Sequence, residues 1–316
     1  MASHPKKTHW IEFIGDRSLK IEEGQTILSA SLAAGIPHYH ACGGKAKCST
    51  CRVLIEKGGE NLTPYNRKES ALRSRIPMPS NIRLACQTYV TGPVHLHRII
   101  RDEDDIKMYV DDGIGSADEE QLGMEKELAL FFLDIREFTP FMEANLPFDV
   151  IHIMRRLFTL FRKTISENGG RIIDTAGDGL YAVFGLDAEW VPEGVEGAVN
   201  AGTCILNRLD EFNRRYLERY FNHCFEVGIG IHAGRVIVGN IGIGVNNNQT
   251  VMGLPVVIAS RLQAATRKLN NSLIVSDEAY QMLSNPPVNG TAEIQLKGVR
   301  RDFSVHLMGR PFSGNK

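Results

Sequence analysis

The amino-acid sequence predicts an α+β protein built from two domains. Three observations carry this prediction. The chain has 316 residues, which exceeds one average domain. Short strand-forming runs fill the first hundred residues, and long amphipathic helices alternate with strands after residue 126. An acidic stretch between the two patterns repels itself and packs poorly. We therefore expect a first domain over residues 1–100, a linker over residues 101–125 and a second domain over residues 126–316.

The first domain is expected to be a small sheet wrapped around one helix. Strand-forming residues flank the turn at Gly15 and Asp16, and Gly35 is a stop signal for a short helix. The expected elements are strands at residues 10–14 and 18–21, a helix at 26–34, strands at 52–55 and 82–84, and a hairpin at 88–99 that turns at Gly92 and Pro93.

Longer elements are expected in the second domain, with the helices on one face of the sheet. Residues 128–135 form a continuous apolar run typical of a strand buried on both faces, and residues 148–167 place apolar residues at helical spacing. Residues 177–179 (Gly-Asp-Gly) predict a hairpin turn. The other expected elements are strands at 171–173, 180–184, 225–231, 236–238 and 272–275, and helices at 194–220 and 255–268.

Composition and charge exclude several classes of protein. The 36 basic and 37 acidic residues give a formal charge of −1, so the chain has no global field that would hold a polyanion. No apolar run approaches the roughly 18 to 20 residues that span a bilayer, and the first residues lack the apolar core of a secretory signal. We therefore expect a cytoplasmic protein that binds neither nucleic acid nor membrane.

Four of the six cysteines are spaced as a metal-binding set. Cys42, Cys48 and Cys51 share a loop that contains glycines, and Cys86 follows much later. Glycine lets such a loop fold tightly and turn its N–H groups toward sulfur. Soft thiolates suit an iron–sulfur cluster or zinc. Because structural zinc sites usually show two short Cys/His pairs, the pattern favours iron–sulfur and leaves zinc as the alternative.

The cysteine motif resembles the [2Fe–2S] ferredoxin family over about residues 9–100. The matching stretches are residues 41–53 (Ala-Cys-Gly-Gly-Lys-Ala-Lys-Cys-Ser-Thr-Cys-Arg-Val) and 83–87 (Arg-Leu-Ala-Cys-Gln). Five residues separate Cys42 from Cys48, where plant-type ferredoxins have four, so the chain is closer to the adrenodoxin-like branch. The resemblance implies a β-grasp fold, a [2Fe–2S] cluster on Cys42, Cys48, Cys51 and Cys86, and an electron donor or acceptor protein as a partner.

Two carboxylates in the second domain are candidates for a metal site. Asp134 ends an apolar strand, and Asp178 lies in the expected hairpin turn, so the two side chains can approach each other. Hard anionic ligands of this kind suit Mg²⁺ or Mn²⁺ bound to a triphosphate. On spacing alone, an equally good interpretation is that Asp134 caps a following helix and Asp178 is an ordinary turn residue.

Five motifs of the second domain together resemble the class III nucleotidyl cyclase catalytic domain over about residues 126–310. They are residues 133–139 (Leu-Asp-Ile-Arg-Glu-Phe-Thr), 175–185 (Thr-Ala-Gly-Asp-Gly-Leu-Tyr-Ala-Val-Phe-Gly), 228–234 (Gly-Ile-Gly-Ile-His-Ala-Gly), 238–242 (Val-Gly-Asn-Ile-Gly) and 295–298 (Gln-Leu-Lys-Gly). The resemblance implies a ferredoxin-like sheet and a head-to-tail homodimer with its active sites at the interface.

The same resemblance implies a reaction and the residues that perform it. Asp134, Ile135 and Asp178 of one subunit would hold two Mg²⁺ or Mn²⁺ ions while the ribose 3′-hydroxyl attacks the α-phosphate and pyrophosphate leaves. Arg261 matches the arginine that stabilises the transition state, and Lys297 matches the lysine that binds the terminal phosphates.

Three positions depart from the adenylate cyclase pattern. Asp174 replaces a lysine that donates to adenine, and an ionised carboxylate can only accept, which favours guanine. Thr250, the second base-reading position, can donate or accept and so decides nothing. Val257 replaces an asparagine that orients the ribose. Loss of such a polar contact lowers the rate on the order of 10²- to 10³-fold. Asn247 or Asn248 would fill that role if a neighbour replaces it.

The sequence therefore predicts an iron–sulfur-linked adenylate or guanylate cyclase, a phosphorus–oxygen lyase that converts ATP or GTP into the 3′,5′-cyclic monophosphate and pyrophosphate. Because phosphoryl transfer needs no electron, the cluster is expected to regulate the dimer through residues 101–125. If it does not, the ferredoxin domain only localises or stabilises the protein. The alternatives are a redox-sensing nucleotide-binding protein with a degenerate cyclase domain, and an electron carrier with an accessory domain.

Overall fold

The computed structural model describes residues 7–76, 78–99, 124–188, 191–239 and 250–313. The chain divides into two compact units, Met1–Leu122 and Gly123–Lys316. Most of the expected linker, residues 101–123, lies outside the described residues. Its last two positions, Met124 and Glu125, already belong to the first strand of the second unit.

The first unit is a five-stranded sheet with two short helices. The elements are β1 (Thr8–Phe13), β2 (Ser18–Glu22), α1 (Ile27–Ala33), β3 (Arg52–Lys57), a 3₁₀ turn (Gly59–Asn61), α2 (Arg67–Arg73), β4 (Ile82–Leu84) and β5 (Val94–Arg98). Strand β5 lies at the centre of the sheet, parallel to β1 and antiparallel to β3, and the strand order is β2-β1-β5-β3-β4. This arrangement agrees with the expected β-grasp fold.

The alternating burial of side chains along β1 shows which face of this sheet packs against the core. His9, Ile11 and Phe13 are buried, whereas Trp10, between His9 and Ile11, is exposed. Such an alternation is typical of a strand with one face against a core. Helix α1 begins where predicted, because the Thr26 hydroxyl accepts a hydrogen bond from the Ser29 backbone N–H at 3.1 Å.

Two expectations for the first unit are wrong. Residues 88–99 do not form a hairpin: Val94–Arg98 is a strand, but Val90 bridges Leu62, which precedes α2 in the chain. Helix α2 was also missed. Its start is capped by Asn66, whose side chain accepts from the Glu69 N–H, and this Asn-x-x-Glu pattern is a helix-start signal present in the sequence.

A buried ion pair joins α2 to β4. Glu69 has no exposed surface and Arg83 is 5% exposed. The Glu69 carboxylate accepts from Arg83 Nε at 3.0 Å, from Arg83 Nη2 at 2.9 Å and from the Leu84 backbone N–H at 2.9 Å. Both charges are thus compensated by hydrogen bonds, which is the condition for burying them without a large desolvation cost.

The second unit contains an eight-stranded sheet. The elements are β6 (Met124–Ile135), α3 (Phe138–Ala144), α4 (Pro147–Glu167), β7 (Gly170–Ala176), β8 (Gly179–Phe184), α5 (Val191–Phe212), a π-helical turn (Asn213–Leu217), α6 (Glu218–Phe221), β9 (Val227–Gly239), β10 (Thr250–Met252), α7 (Leu254–Lys268), β11 (Leu273–Ser276), α8 (Asp277–Tyr280), β12 (Gly290–Gln295) and β13 (Asp302–Leu307). Apart from the short helices α3 and α6 and the π-helical turn, the first elements run β6-α4-β7-β8-α5-β9, and their strands lie in the order β9-β6-β8-β7, so the expected ferredoxin-like sheet is present.

The two faces of this sheet are covered by different helices. Phe131 and Leu133 of β6 pack with buried residues of α4 and α5, whereas Leu128 and Leu130 lie in another cluster with Ala259 of α7. The expectation that all helices share one face is therefore wrong. Helix α7 lies so close to β9 that a Cβ at Gly230 would collide with the α7 backbone.

Several element boundaries also differ from the expected ones. Strand β9 is continuous over Val227–Gly239, where two separate strands were expected. Strands β10, β12 and β13 and helices α3 and α8 were not predicted. No helix of the described part is long and apolar enough to cross a membrane.

We expect Glu69→Ala to lower the free energy of unfolding of the first unit by about 3–5 kcal/mol, because Arg83 would be left buried without a counter-charge. Hydrogen–deuterium exchange of peptides from β3 and β4 in the full chain measures this effect.

Glu56→Ala is the matched control, since the Glu56 carboxylate is 44% exposed and lies 3.4 Å from His97. Loss of this exposed pair should change the stability by less than about 1 kcal/mol. Equal protection in Glu69→Ala and Glu56→Ala would contradict the role given to the buried pair.

Candidate functional site

Register brings the two candidate metal-binding carboxylates together. Asp134 lies opposite Gly179 in the β6–β8 ladder, and Asp178 is the residue directly before Gly179. The β7–β8 hairpin pairs Ala176 with Gly179, so Gly177 and Asp178 form its turn, with Gly177 at φ 61°. The hairpin turn predicted from the sequence is confirmed.

The side chain of Asp134 belongs to the sheet face that α4 and α5 do not cover. Residues 129, 131, 133 and 135 of β6 pack toward those helices, and the alternation places Asp134 on the opposite face. The carboxyl group is half-buried there. Burial, and then the nearby charge of Asp178, raise the pKa of Asp134, although Arg136 acts in the opposite direction.

Arg136 is a residue of this site that sequence reasoning missed. Its Nη1 lies 3.6 Å from Asp134 Oδ2, and its Nη2 donates to the Thr266 hydroxyl and to the Gln263 backbone carbonyl at 3.3 Å. The guanidinium thus connects the end of β6 to helix α7. Gly228 makes room for this contact, because a Cβ at that position would collide with the Arg136 guanidinium.

A cavity of about 320 Å³ opens beside Asp134. Asp174, the residue expected to read the base, lines the same cavity, as do two groups that the sequence did not indicate, the stacked Phe132–Tyr181 pair and Gln263. The ring centroids of Phe132 and Tyr181 lie 4.5 Å apart with an interplanar angle of 12°. The sequence signal for Tyr181 is that it is the one tyrosine in the apolar strand β8.

The other predicted site residues lie outside this cavity. Arg261 and Lys297 are exposed, and the lining residues that the structure describes do not include either of them. Val257 is 45% exposed and lies one helical turn before Arg261 on α7. Thr250 begins β10, opposite Gly239. Asn247 and Asn248 lie outside the described residues.

Two neighbouring carboxylates, one of which raises the pKa of the other, fit a divalent cation, because a cation removes their repulsion. Among the described residues, no three carboxylate, imidazole or thiol groups converge on one point, so the remaining ligands would come from elsewhere. The Ile135 side chain is 2% exposed and packs in the core, so the group that Ile135 could offer to a cation is its backbone carbonyl.

The four cysteines of the first unit form two neighbouring pairs. The Cys42 thiol interacts with Cys48, and the Cys51 thiol interacts with Cys86. Cys42 and Cys48 are partly exposed, whereas Cys51 and Cys86 are buried. Two pairs, rather than four thiols around one point, fit a cluster of two irons better than a single zinc ion.

A side chain next to Cys86 stabilises negative charge on its sulfur. Gln87 Nε2 donates to Cys86 Sγ at 3.3 Å and to the Gly44 carbonyl at 3.0 Å. The hydrogen bond from Cys51, and that from Gln87, lower the pKa of Cys86 to about 6 against the effect of burial. The hydrogen bond with Cys86, and then burial, raise the pKa of Cys51, and burial raises that of Cys48. A thiolate is the form that binds iron, so the environment of Cys86 suits the cluster.

Comparison with known protein families agrees with both resemblances. Residues 121–309 match the adenylate and guanylate cyclase catalytic domain, and residues 13–91 match the 2Fe-2S iron-sulfur cluster binding domain. The two matches occur in the predicted order along the chain.

Relatives with a curated description match the cyclase part. The adenylate cyclase of Anabaena cylindrica is 28% identical over 164 residues, which are 51% of this chain and 32% of that protein. Adenylate cyclase 1 of Rhizobium meliloti is 28% identical over 182 residues, which are 56% of this chain and 27% of that protein. The matches thus span about a third or less of the length of these relatives.

A solved structure of similar fold is that of the guanylyl cyclase Cya2, with a TM-score of 0.53 and 26% identity, over 61% of this chain and 97% of that one. The family match covers more than half of the present sequence, and the paired carboxylates lie within it. This chain therefore belongs to the adenylate and guanylate cyclase family, with a 2Fe–2S cluster binding domain preceding its cyclase catalytic domain.

Proposed function

We propose that this chain converts a purine nucleoside triphosphate into its 3′,5′-cyclic monophosphate and pyrophosphate as a homodimer. The observation that carries the proposal is the juxtaposition of Asp134 and Asp178 beside a cavity that Asp174 also lines. Family membership supports the reaction type, and the cavity volume of about 320 Å³ lies within the range of ligand pockets, about 300–1,000 Å³.

Each proposed residue has a separate task. Asp134 and Asp178, with the Ile135 carbonyl, would hold two Mg²⁺ or Mn²⁺ ions, which supply positive charge next to the reacting phosphate when bound. Arg136 orients the Asp134 carboxylate. The Arg261 guanidinium offers a planar set of donors to the equatorial oxygens of the α-phosphate, and Lys297 binds the terminal phosphates.

The homodimer is proposed because one chain does not assemble these groups around one cavity. Arg261 and Lys297 are absent from the described lining, so a second copy would have to supply them. Exposed apolar side chains near Arg261 offer a surface for that copy. Ile237 lies opposite Met252 in the β9–β10 ladder, and Leu254 and Val257 follow on α7; all four are at least 40% exposed.

One observation favours a second candidate function. Val257 occupies the place of the ribose-orienting asparagine, and its exposed isopropyl group offers no hydrogen bond. A redox-sensing, nucleotide-binding protein whose cyclase domain is degenerate would tolerate this residue. Nucleotide binding without turnover would favour this second function.

The proposed role of the cluster is regulation, because the cyclisation transfers no electron. A [2Fe–2S] cluster on Cys42, Cys48, Cys51 and Cys86 would supply one-electron redox chemistry to the first unit. Covalent linkage of the two units then allows the redox state of one to bias the activity of the other.

Turnover should need Asp134 and Arg261 from different subunits. We expect cluster-loaded protein with Mn²⁺ to cyclise at least one of ATP, GTP, CTP and UTP. Asp134→Ala and Arg261→Ala should each lose on the order of 10²- to 10³-fold in rate. An equimolar mixture of the two variants should recover about a quarter of the wild-type rate, since half of randomly exchanged dimers keep one of two sites.

Asp187→Ala is the control for this assay, because Asp187 is 89% exposed and pairs with Arg171 away from the cavity. Its rate should equal that of the wild type. Full turnover in Asp134→Ala would contradict the metal assignment, and no recovery in the mixture, with exchange shown by subunit labelling, would contradict the shared site.

Asp134→Asn should stabilise the metal-free protein. A carboxyl whose folded-state pKa lies above its unfolded value binds protons more tightly when folded, so its contribution to stability falls as the pH rises through that pKa. At neutral pH the amide removes this penalty. We expect a higher Tm than the wild type in chelator, a smaller difference toward pH 4, and loss of the Tm increase that Mn²⁺ gives the wild type. A lower Tm at neutral pH would mean that the ion pair of Asp134 with Arg136 stabilises the fold by more than the repulsion from Asp178 destabilises it.

Cyclase rates should depend on the state of the cluster. We expect a severalfold difference between oxidised and dithionite-reduced protein under anaerobic conditions, with the visible absorption recorded in the same cuvette. Cys204→Ser, outside the cluster motif, is a control that should keep the difference. Equal rates in the oxidised, reduced and cluster-free protein would rule out redox regulation.

A further inference from the structure

The cysteine loop of the first unit lies in a part of the chain that is rich in positive charge. Residues 24–55, which contain the loop, include no aspartate or glutamate. Residues 61–100 include a single one, Glu69, and its charge is buried and paired with Arg83. Four exposed basic residues from these two stretches form what we call the basic face: Lys45, Lys47, Arg67 and Lys68.

Hydrogen bonds hold the start of α2 against the cysteine loop. The Asn66 side chain caps α2, and its Nδ2 donates to Gln87 Oε1 at 3.0 Å. Gln87 Nε2 in turn donates to the Gly44 carbonyl at 3.0 Å. Gly44 directly precedes Lys45, and Asn66 directly precedes Arg67. The two parts of the basic face are therefore joined through one glutamine side chain.

The same loop contains the two cluster ligands that reach the surface. Cys42 and Cys48 are partly exposed, whereas Cys51 and Cys86 are buried in the core of the first unit. Because the rate of electron transfer falls steeply with distance, a cluster on these thiolates exchanges electrons most readily on the side of Cys42 and Cys48. Lys45 lies between these two cysteines in the chain, so the basic face surrounds that side.

The positive charge of this face is local. The whole chain has a formal charge of −1, so its net charge neither attracts nor repels a partner strongly. Strand β2 lies at the opposite edge of the sheet from β4, to which α2 is joined by the Glu69 hydrogen bonds. Apart from Glu69, the acidic residues of the described part of the first unit lie on β1, β2 and their turns, and at the end of β3: Glu12, Asp16, Glu22, Glu23, Glu56 and Glu60.

We infer that the basic face is the docking surface for a one-electron carrier protein whose own surface is acidic around its redox centre. One electron passes between that carrier and the cluster, so one is oxidised as the other is reduced, and no bond or proton is transferred. Opposite charges accelerate the encounter and orient the carrier toward Cys42 and Cys48. This inference rests on the cluster and goes beyond the proposed cyclase activity.

Small redox ions measure the charge around the cluster. In anaerobic stopped-flow mixing, we expect the rate constant for oxidation of the reduced protein by ferricyanide, an anion, to fall severalfold between about 10 mM and about 300 mM salt. Oxidation by hexaamminecobalt(III), a cation, should become faster over the same range. Rates that do not depend on salt, as expected if the acidic residues 102–120 of this chain cover the face, would overturn the inference.

Charge reversal on the basic face should slow the reaction with the anion. Lys45→Glu and Arg67→Glu should each lower the ferricyanide rate severalfold at low salt, with the visible absorption of the cluster unchanged. Where a reversal disturbs the cluster, Lys45→Gln and Arg67→Gln should lower the rate by a smaller factor. Lys20→Glu is the matched control, because Lys20 is exposed on β2 and the net charge changes by the same amount. Equal slowing in Lys20→Glu would overturn the inference.

A protein probe tests the docking itself. We expect reduced flavodoxin, an acidic one-electron carrier, to reduce the oxidised cluster of the full chain at a rate that saturates with flavodoxin concentration and falls with salt. Lys45→Glu and Arg67→Glu should raise the half-saturating concentration severalfold, and Lys20→Glu should not. Cytochrome c, a basic carrier, should oxidise the reduced cluster faster as salt rises. A flavodoxin rate that rises with salt, or that is equal in all variants, would overturn the inference.

None of these rates involves a nucleotide, so failure of this inference is distinguishable from failure of the proposed function. Charge-dependent reduction by flavodoxin in a protein that cyclises no nucleotide would support the docking surface and refute the cyclase activity. Turnover of a nucleotide in a protein whose cluster reacts equally with anions and cations at every salt concentration would support the cyclase activity and refute the docking surface.

Discussion

The repulsion between the Asp134 and Asp178 carboxylates is the physical constraint on which the proposed site of the second unit depends. The β6–β8 register and the two-residue turn before Gly179 hold Asp134 and Asp178 close together, and burial and the charge of Asp178 make the half-buried Asp134 harder to ionise. A fold selected only for stability would avoid this arrangement. Its presence beside a cavity supports the proposed site, and Arg136 partly compensates the charge while it fixes the end of β6 to helix α7.

The helices cover the two faces of the sheet unequally, and the candidate metal-binding carboxylates lie on the less covered face. One face of β6 is sealed by α4 and α5 and is apolar from Ala129 to Ile135, so a charged residue there would have no partner. The other face is covered by α7 over part of its area, and the uncovered remainder contains the cavity with Asp134, Asp174 and Tyr181. Helix α7 thus serves both as the cover of a core and as the wall of the site.

The sequence predicted those features that depend on local pattern. The strand end at Asp134 and the turn at Asp178 followed from an apolar run and a Gly-Asp-Gly triplet. Strand β9 was divided between residues 231 and 236, a stretch that contains Gly234, yet Gly234 and Gly230 are both required by the close approach of α7. The pairing of Cys51 with Cys86, and the contacts of Arg136 and Gln263, depend on residues distant in sequence, which no local pattern encodes.

The buried contact between α2 and β4 links assembly of the first unit to the capture of its iron. Strand β4 ends at Leu84, two residues before Cys86, and Glu69 of α2 holds both the Arg83 side chain and the Leu84 amide. If α2 unwinds, the segment that carries the fourth thiol loses its anchor, whereas the other three thiols share one loop. A nascent or partly unfolded chain would therefore present three thiols in one loop without the fourth.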